Sequence, residues 1–70
     1  MEKREVSIDE LAGVIAEACG RFYKGDYVTA SNETERILEE VLLDGESEGC
    51  GIRVYATPKP NTFIVEQLEQ

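Results

Sequence analysis

The chain contains no histidine and no tryptophan, and only two cysteines, two prolines and one methionine in 70 residues. Without histidine, the Ser-His and Cys-His nucleophile pairs and most imidazole-bearing metal sites cannot be built. Basic residues are scarce as well: 7 Lys and Arg stand against 15 Asp and Glu, for a net charge of −8. A surface of that sign repels phosphate backbones and anionic lipid, so neither direct nucleic acid nor membrane is expected as a partner. No apolar run approaches the ~20 residues of a membrane span. The segment Met1-Glu2-Lys3-Arg4-Glu5 mixes both signs of charge, and no apolar h-region follows it. A secretory signal is therefore not expected, and the chain reads as cytoplasmic. Two sparse cysteines in that compartment read as reduced thiols, although sequence leaves open that Cys19 and Cys50 meet in space.

Hydrophobic residues nevertheless make up 41% of the chain and charged residues 31%. That balance belongs to a folded domain, not a disordered tail, and the length allows only one, spanning residues 1–70. A domain of this size buries only about 60% of its unfolded surface. Little room remains for a substrate pocket of about 300 Å³ or more. Paired carboxylates are unavoidable among 15 acids, so they discriminate nothing. The expectation is a non-enzymatic protein with no cofactor and no resident metal.

Ser7-Ile8-Asp9-Glu10 has the form of a capping box, with Val6 and Leu11 placed as a hydrophobic staple. Ile8, Leu11, Ala12, Ile15, Ala18, Cys19, Phe22 and Tyr23 then fall on one stripe at helical spacing. A first helix is predicted over about 8–23, with Gly20 and Gly25 as candidate stops. Gly13, Ala16 and Gly20 form a small-residue flank, read as the place where a second helix packs closely. That second helix is predicted over about 32–43, capped by Ser31 or Asn32 and ended by Asp44-Gly45. Ala30, Thr34, Ile37, Leu38, Val41 and Leu42 share its apolar face, which leaves Leu43 on the charged side.

The remainder alternates as a β-hairpin, with strands at about 50–56 and 62–68 around the turn Thr57-Pro58-Lys59-Pro60-Asn61. The predicted fold is a small α+β domain, a helical hairpin packed on a C-terminal antiparallel β-hairpin. Its core is expected to hold Ile8, Leu11, Ile15, Cys19, Phe22, Ile37, Leu38, Val41, Ile52, Val54 and at least one of Phe63, Ile64 and Val65. A hairpin of two strands leaves two open edges, an invitation to a strand from a partner or a second copy.

The distinctive feature is an acidic block. Glu33, Glu35, Glu39, Glu40, Asp44, Glu46 and Glu48 are opposed only by Arg36, a local charge of −6. A solvated helix face accounts for such a block most simply. The functional alternative is a surface that docks on a basic protein, and cellular basic surfaces belong mostly to nucleic-acid-binding proteins. On charge and size alone, this is the manner of small phage or mobile-element inhibitors, anti-CRISPR and anti-restriction proteins among them, that act by nucleic-acid mimicry. The candidate partner-binding residues are Glu33, Glu39, Glu40, Leu43, Asp44, Glu46, Glu48 and Tyr55.

Two lesser readings complete the set. The chain could be an adaptor that forms a homodimer through the hairpin edge. Asp44-Gly45-Glu46-Ser47-Glu48-Gly49 also outlines the first half of an EF-hand loop, with acids at positions one, three and five. Position twelve is Tyr55, which supplies no bidentate carboxylate, so at most a weak cation site is implied.

Overall fold

The computed structural model describes residues 2–68, so residues 1, 69 and 70 of the expected domain lie outside the described residues. In chain order the elements are β1 (Lys3–Ser7), α1 (Ile8–Phe22), α2 (Tyr27–Asp44), β2 (Glu46–Gly49), β3 (Ile52–Ala56) and β4 (Thr62–Gln67). The fold is α+β, with the helical hairpin packed on the C-terminal β3–β4 hairpin as the sequence pattern implies. Two further strands complete an antiparallel sheet in the order β1-β4-β3-β2. Both edges of the β3–β4 hairpin, expected to lie open, are therefore occupied by the chain itself. The open edges are instead those of β1 and β2.

Ser7 ends β1 and caps α1 in the same residue. The Glu10 carboxylate accepts from the Ser7 amide at 3.1 Å and from the Ser7 hydroxyl at 3.2 Å, closing the box. Leu11, Ile15, Ala18 and Cys19 form the buried stripe of α1. The stripe is narrower than its sequence: Ile8 is 41% exposed and Phe22 51% exposed. These two lie in the first and last turns, where a sheet this small no longer lies beneath the helix. Phe22 instead sets its ring edge-on against half-buried Tyr23, with centroids 5.0 Å apart.

α2 begins five residues before the predicted start. Asp26, not Asn32, is the cap: its carboxylate accepts from the Thr29 amide at 3.0 Å and the Thr29 hydroxyl at 2.7 Å. Local capping outweighs the β preference of Tyr27-Val28-Thr29, since β preference is largely a matter of burial that this exposed segment lacks. Gly45 ends α2 at φ 87°, donating its amide to the Val41 carbonyl at 2.9 Å. Ile37 and Val41 are buried, whereas Leu42, expected on the same face, is 52% exposed. One residue past Val41 is a rotation of about 100°, and that carries Leu42 off the contact face.

The helices cover one face of the sheet. Val6, Ser47, Ile52, Val54, Phe63 and Val65 point toward them and are buried. The opposite face is bare of any element. There the strand register lines up Lys3, Glu66, Arg53 and Glu48 in one row and Glu5, Ile64, Tyr55 and Glu46 in the next. No described helix is long and apolar enough to cross a membrane.

Candidate functional site: the acidic corner of α2 and β2

The acidic block folds into two adjoining elements rather than a helix and a loop. Glu46 and Glu48, expected in a loop, lie on β2, which pairs with β3 through Glu46↔Tyr55 and Glu48↔Arg53. α2 rests against β2, and the side chain that joins them is Arg36. Its guanidinium donates to both oxygens of Glu33 at 2.9–3.2 Å and to Glu40 at 3.0 Å. It also reaches the Glu48 carbonyl at 3.3 Å. The hydroxyl of buried Ser47 donates to the same Glu40 oxygen at 2.6 Å. This network explains the glycine that follows Glu48. A methyl added at Gly49 would stand 2.6 Å from Arg36 Nη2 and 3.1 Å from Ile37 Cδ1.

The network divides the predicted residues. Glu33 and Glu40 are half-buried and already engaged by Arg36, so they fasten α2 to β2. The hydrogen bond from Arg36 holds the Glu33 carboxyl below its ordinary range. Glu46 pairs with Arg53 at 3.3 Å. Glu35, Glu39, Asp44 and Glu48 are exposed and have no ion pair among the described residues. Glu35 was not among the predicted site residues, and its one-residue offset from Arg36 on the wheel was the signal available. Leu43 is 77% exposed beside Leu42, so α2 ends in an apolar step flanked by Glu39 and Asp44.

Tyr55 lies on the outward sheet face together with Glu46 and Glu48, away from the α2 carboxylates. It is half-buried on the bare sheet face, opposite Ile64, with the Arg53 guanidinium 5.5 Å from its ring centroid. That contact covers one side of the ring. The chain matches no family model, no curated protein and no solved structure. Function must therefore be read from geometry alone.

The EF-hand outline dissolves in the structure. Glu46 and Glu48 project from one side of a paired strand, and Asp44 ends a helix on the other side of Gly45. Among the described residues, no group of three or more carboxylates or thiols converges closely enough to hold a metal ion. A loop wrapped around an ion needs its backbone free, and the β2 backbone is committed to β3.

The small-residue flank of α1 also differs from expectation. A methyl placed on Gly13 or Gly20 would meet no atom within 4 Å, so α2 does not pack there. α2 instead meets α1 through the stripe containing Ile15, Cys19, Ala30 and Ile37.

Proposed function

We propose that this protein is a non-enzymatic binding module whose acidic corner occupies a basic surface on a partner protein, one that otherwise handles nucleic acid. The observation that carries the reading is the set of exposed, unpaired carboxylates Glu35, Glu39 and Asp44 around exposed Leu42 and Leu43 on α2, with Glu48 exposed on the outward side of the adjoining strand. The nearby cation Arg36 is spent on internal contacts and does not neutralise them. Carboxylates presented on a helix and an adjoining strand can replace phosphates against a row of Lys and Arg. An apolar residue inside such a rim supplies the desolvated centre that slows dissociation. Charge then sets the encounter rate, and the leucines set the lifetime.

The test begins with affinity capture, run in parallel with the native chain and with Glu35→Lys/Glu39→Lys. Both positions are exposed and outside the Arg36 network, so this variant keeps the fold. A partner that fits the proposal binds the native chain, loses it as salt rises, and ignores the variant. Purified with its nucleic acid, it should release that nucleic acid when the native chain is added. A partner that binds both chains equally, or binds nucleic acid and this chain together, refutes the reading. Self-association that persists in high salt would favour a homodimer through the β1 or β2 edge instead.

A further inference from the structure

Cys19 and Cys50 are 31 residues apart in sequence, yet their sulfur atoms stand 2.6 Å apart, well inside ordinary contact between two sulfurs. Both are free and buried, Cys19 at 0% and Cys50 at 8% exposure. Their placement is not that of two small hydrophobes filling a gap. Gly49 pairs with Ile52, leaving Cys50-Gly51 as a two-residue hairpin loop with φ of 54° and 75°. Positive φ at both central residues is the type I′ pattern, in which asparagine or glycine is favoured and a cysteine is strained. The turn accepts that strain while directing the thiol inward, onto α1, against the one other cysteine of the chain.

We propose that Cys19 and Cys50 are a disulfide-forming pair, a covalent staple between α1 and the β2–β3 turn that closes by exchange with a small-molecule disulfide. Closure to the ~2.05 Å of a disulfide brings the two sulfurs nearer by only roughly half an ångström. Cys50 is the entry point, because it lines a surface cleft with Arg21, Phe22 and Ile52, whereas Cys19 is sealed. In the first step Cys50, having lost its proton, attacks one sulfur of the small disulfide. A mixed disulfide forms, and one small thiolate leaves and takes up that proton. Cys19 then loses its proton and attacks the Cys50 sulfur, expelling the second small thiolate, which is protonated in turn. Two protein thiols and one small disulfide become one protein disulfide and two small thiols. Burial, with the neighbouring Cys19 thiol, pushes the Cys50 thiol up to about 12. Thiolate is therefore rare near neutrality, and exchange should be slow there and quicken with alkali.

The native chain is incubated with glutathione and glutathione disulfide at graded ratios, quenched in acid, denatured, alkylated and weighed intact. Two species are expected at equilibrium, one with both thiols alkylated and one with neither, two hydrogens lighter than the unmodified reduced chain, while the glutathione adduct remains transient. Closing a loop of this length removes freedom from the unfolded chain, so the oxidised form should melt higher by on the order of 10 °C. Cys19→Ala should trap the glutathione adduct on Cys50. Cys50→Gly, which suits the turn, should fold and show melting indifferent to the glutathione ratio. Persistent adducts on the native chain, disulfide-linked dimers, or two free thiols at ratios that oxidise a reference dithiol would each overturn the proposal.

Discussion

Replacing Gly13 and Gly20 by alanine offers a direct measure of how α1 is used. Both glycines lie within the helix, and an added methyl at either site finds open space. The effect then reduces to backbone entropy and helix propensity, with no packing to gain or lose. An interior helix glycine is about 0.8–1 kcal/mol less favourable than alanine, and relief measured in folded proteins runs about 0.4–1 kcal/mol. Gly20 lies in the last turn, so the lower end applies to it. The pair should stabilise the chain by about 1–2 kcal/mol and raise the melting temperature by roughly 4–8 °C per kcal/mol in so small a domain. Thermal melts followed by far-ultraviolet circular dichroism, with calorimetry to check two-state behaviour, give the number. A melting temperature that stays put or falls in both single variants would refute the reasoning. It would mean that something occupies the flank, and the double variant should then be examined for loss of self-association.

Arg36→Gln should lower the melting temperature by several degrees, because it frees Glu33 and Glu40 to repel each other and unfastens the Glu48 carbonyl; an unchanged melt would show that the network is ornamental. Stability should be flat from about pH 5.5 to 8.5, since no histidine titrates there, and should fall on both sides. On the acid side, the Ser7 amide bond to Glu10, the Thr29 bonds to Asp26 and the Arg36 bond to Glu33 hold those carboxyls below their ordinary values. The folded chain thus binds their protons more weakly than the unfolded one, and their contribution is complete above the ordinary carboxylate range and lost as pH drops through it. On the alkaline side, burial raises Cys50 and Tyr23, so their contribution is complete below the ordinary thiol and phenol values and lost as pH climbs. Urea midpoints across pH read both limbs, and a midpoint that rises steadily with acid would mean that relief of the net charge outweighs the lost hydrogen bonds.

The parts of the fold legible in the sequence were those with an apolar period and a cap of their own. α1 announced itself through Ser7 and Glu10, and β3 and β4 through alternation around a proline-bearing turn. β1 and β2 were not legible, because Lys3–Ser7 and Glu46–Gly49 contribute one buried side chain each, Val6 and Ser47. Such strands form because a neighbouring edge offers hydrogen bonds, and that edge exists only after the hairpin has folded. Their identity is tertiary. The acidic surface was legible as a count but not as a geometry. Nothing in the order Glu33, Arg36, Glu40 distinguished carboxylates that hold α2 to β2 from those left facing solvent.

The contacts that grip β2 bear on how the acidic corner binds. On the bare sheet face one row, Lys3, Glu66, Arg53, Glu48, alternates in sign, while the next adds the carboxylates Glu5 and Glu46. Among the described residues, carboxylates without an ion pair include Glu35, Glu39 and Asp44 on α2 and Glu48 on the outermost strand. That strand is a short edge, the kind of element that frays first. Here it is held from α2 by Arg36 at the Glu48 carbonyl and by Glu40, which accepts from the Ser47 hydroxyl, and from α1 by Cys19 at the turn that follows. With β2 fixed on both sides, Glu48 keeps its position relative to Glu35, Glu39 and Asp44 before any partner arrives. Less conformational freedom is then surrendered on association, and rigid charge spacing discriminates among basic surfaces in a way that a flexible acidic tail does not. A covalent Cys19–Cys50 bond would tighten that spacing without altering any exposed charge. On this physics, its effect on binding should lie in the dissociation rate, while the salt-dependent association rate stays the same.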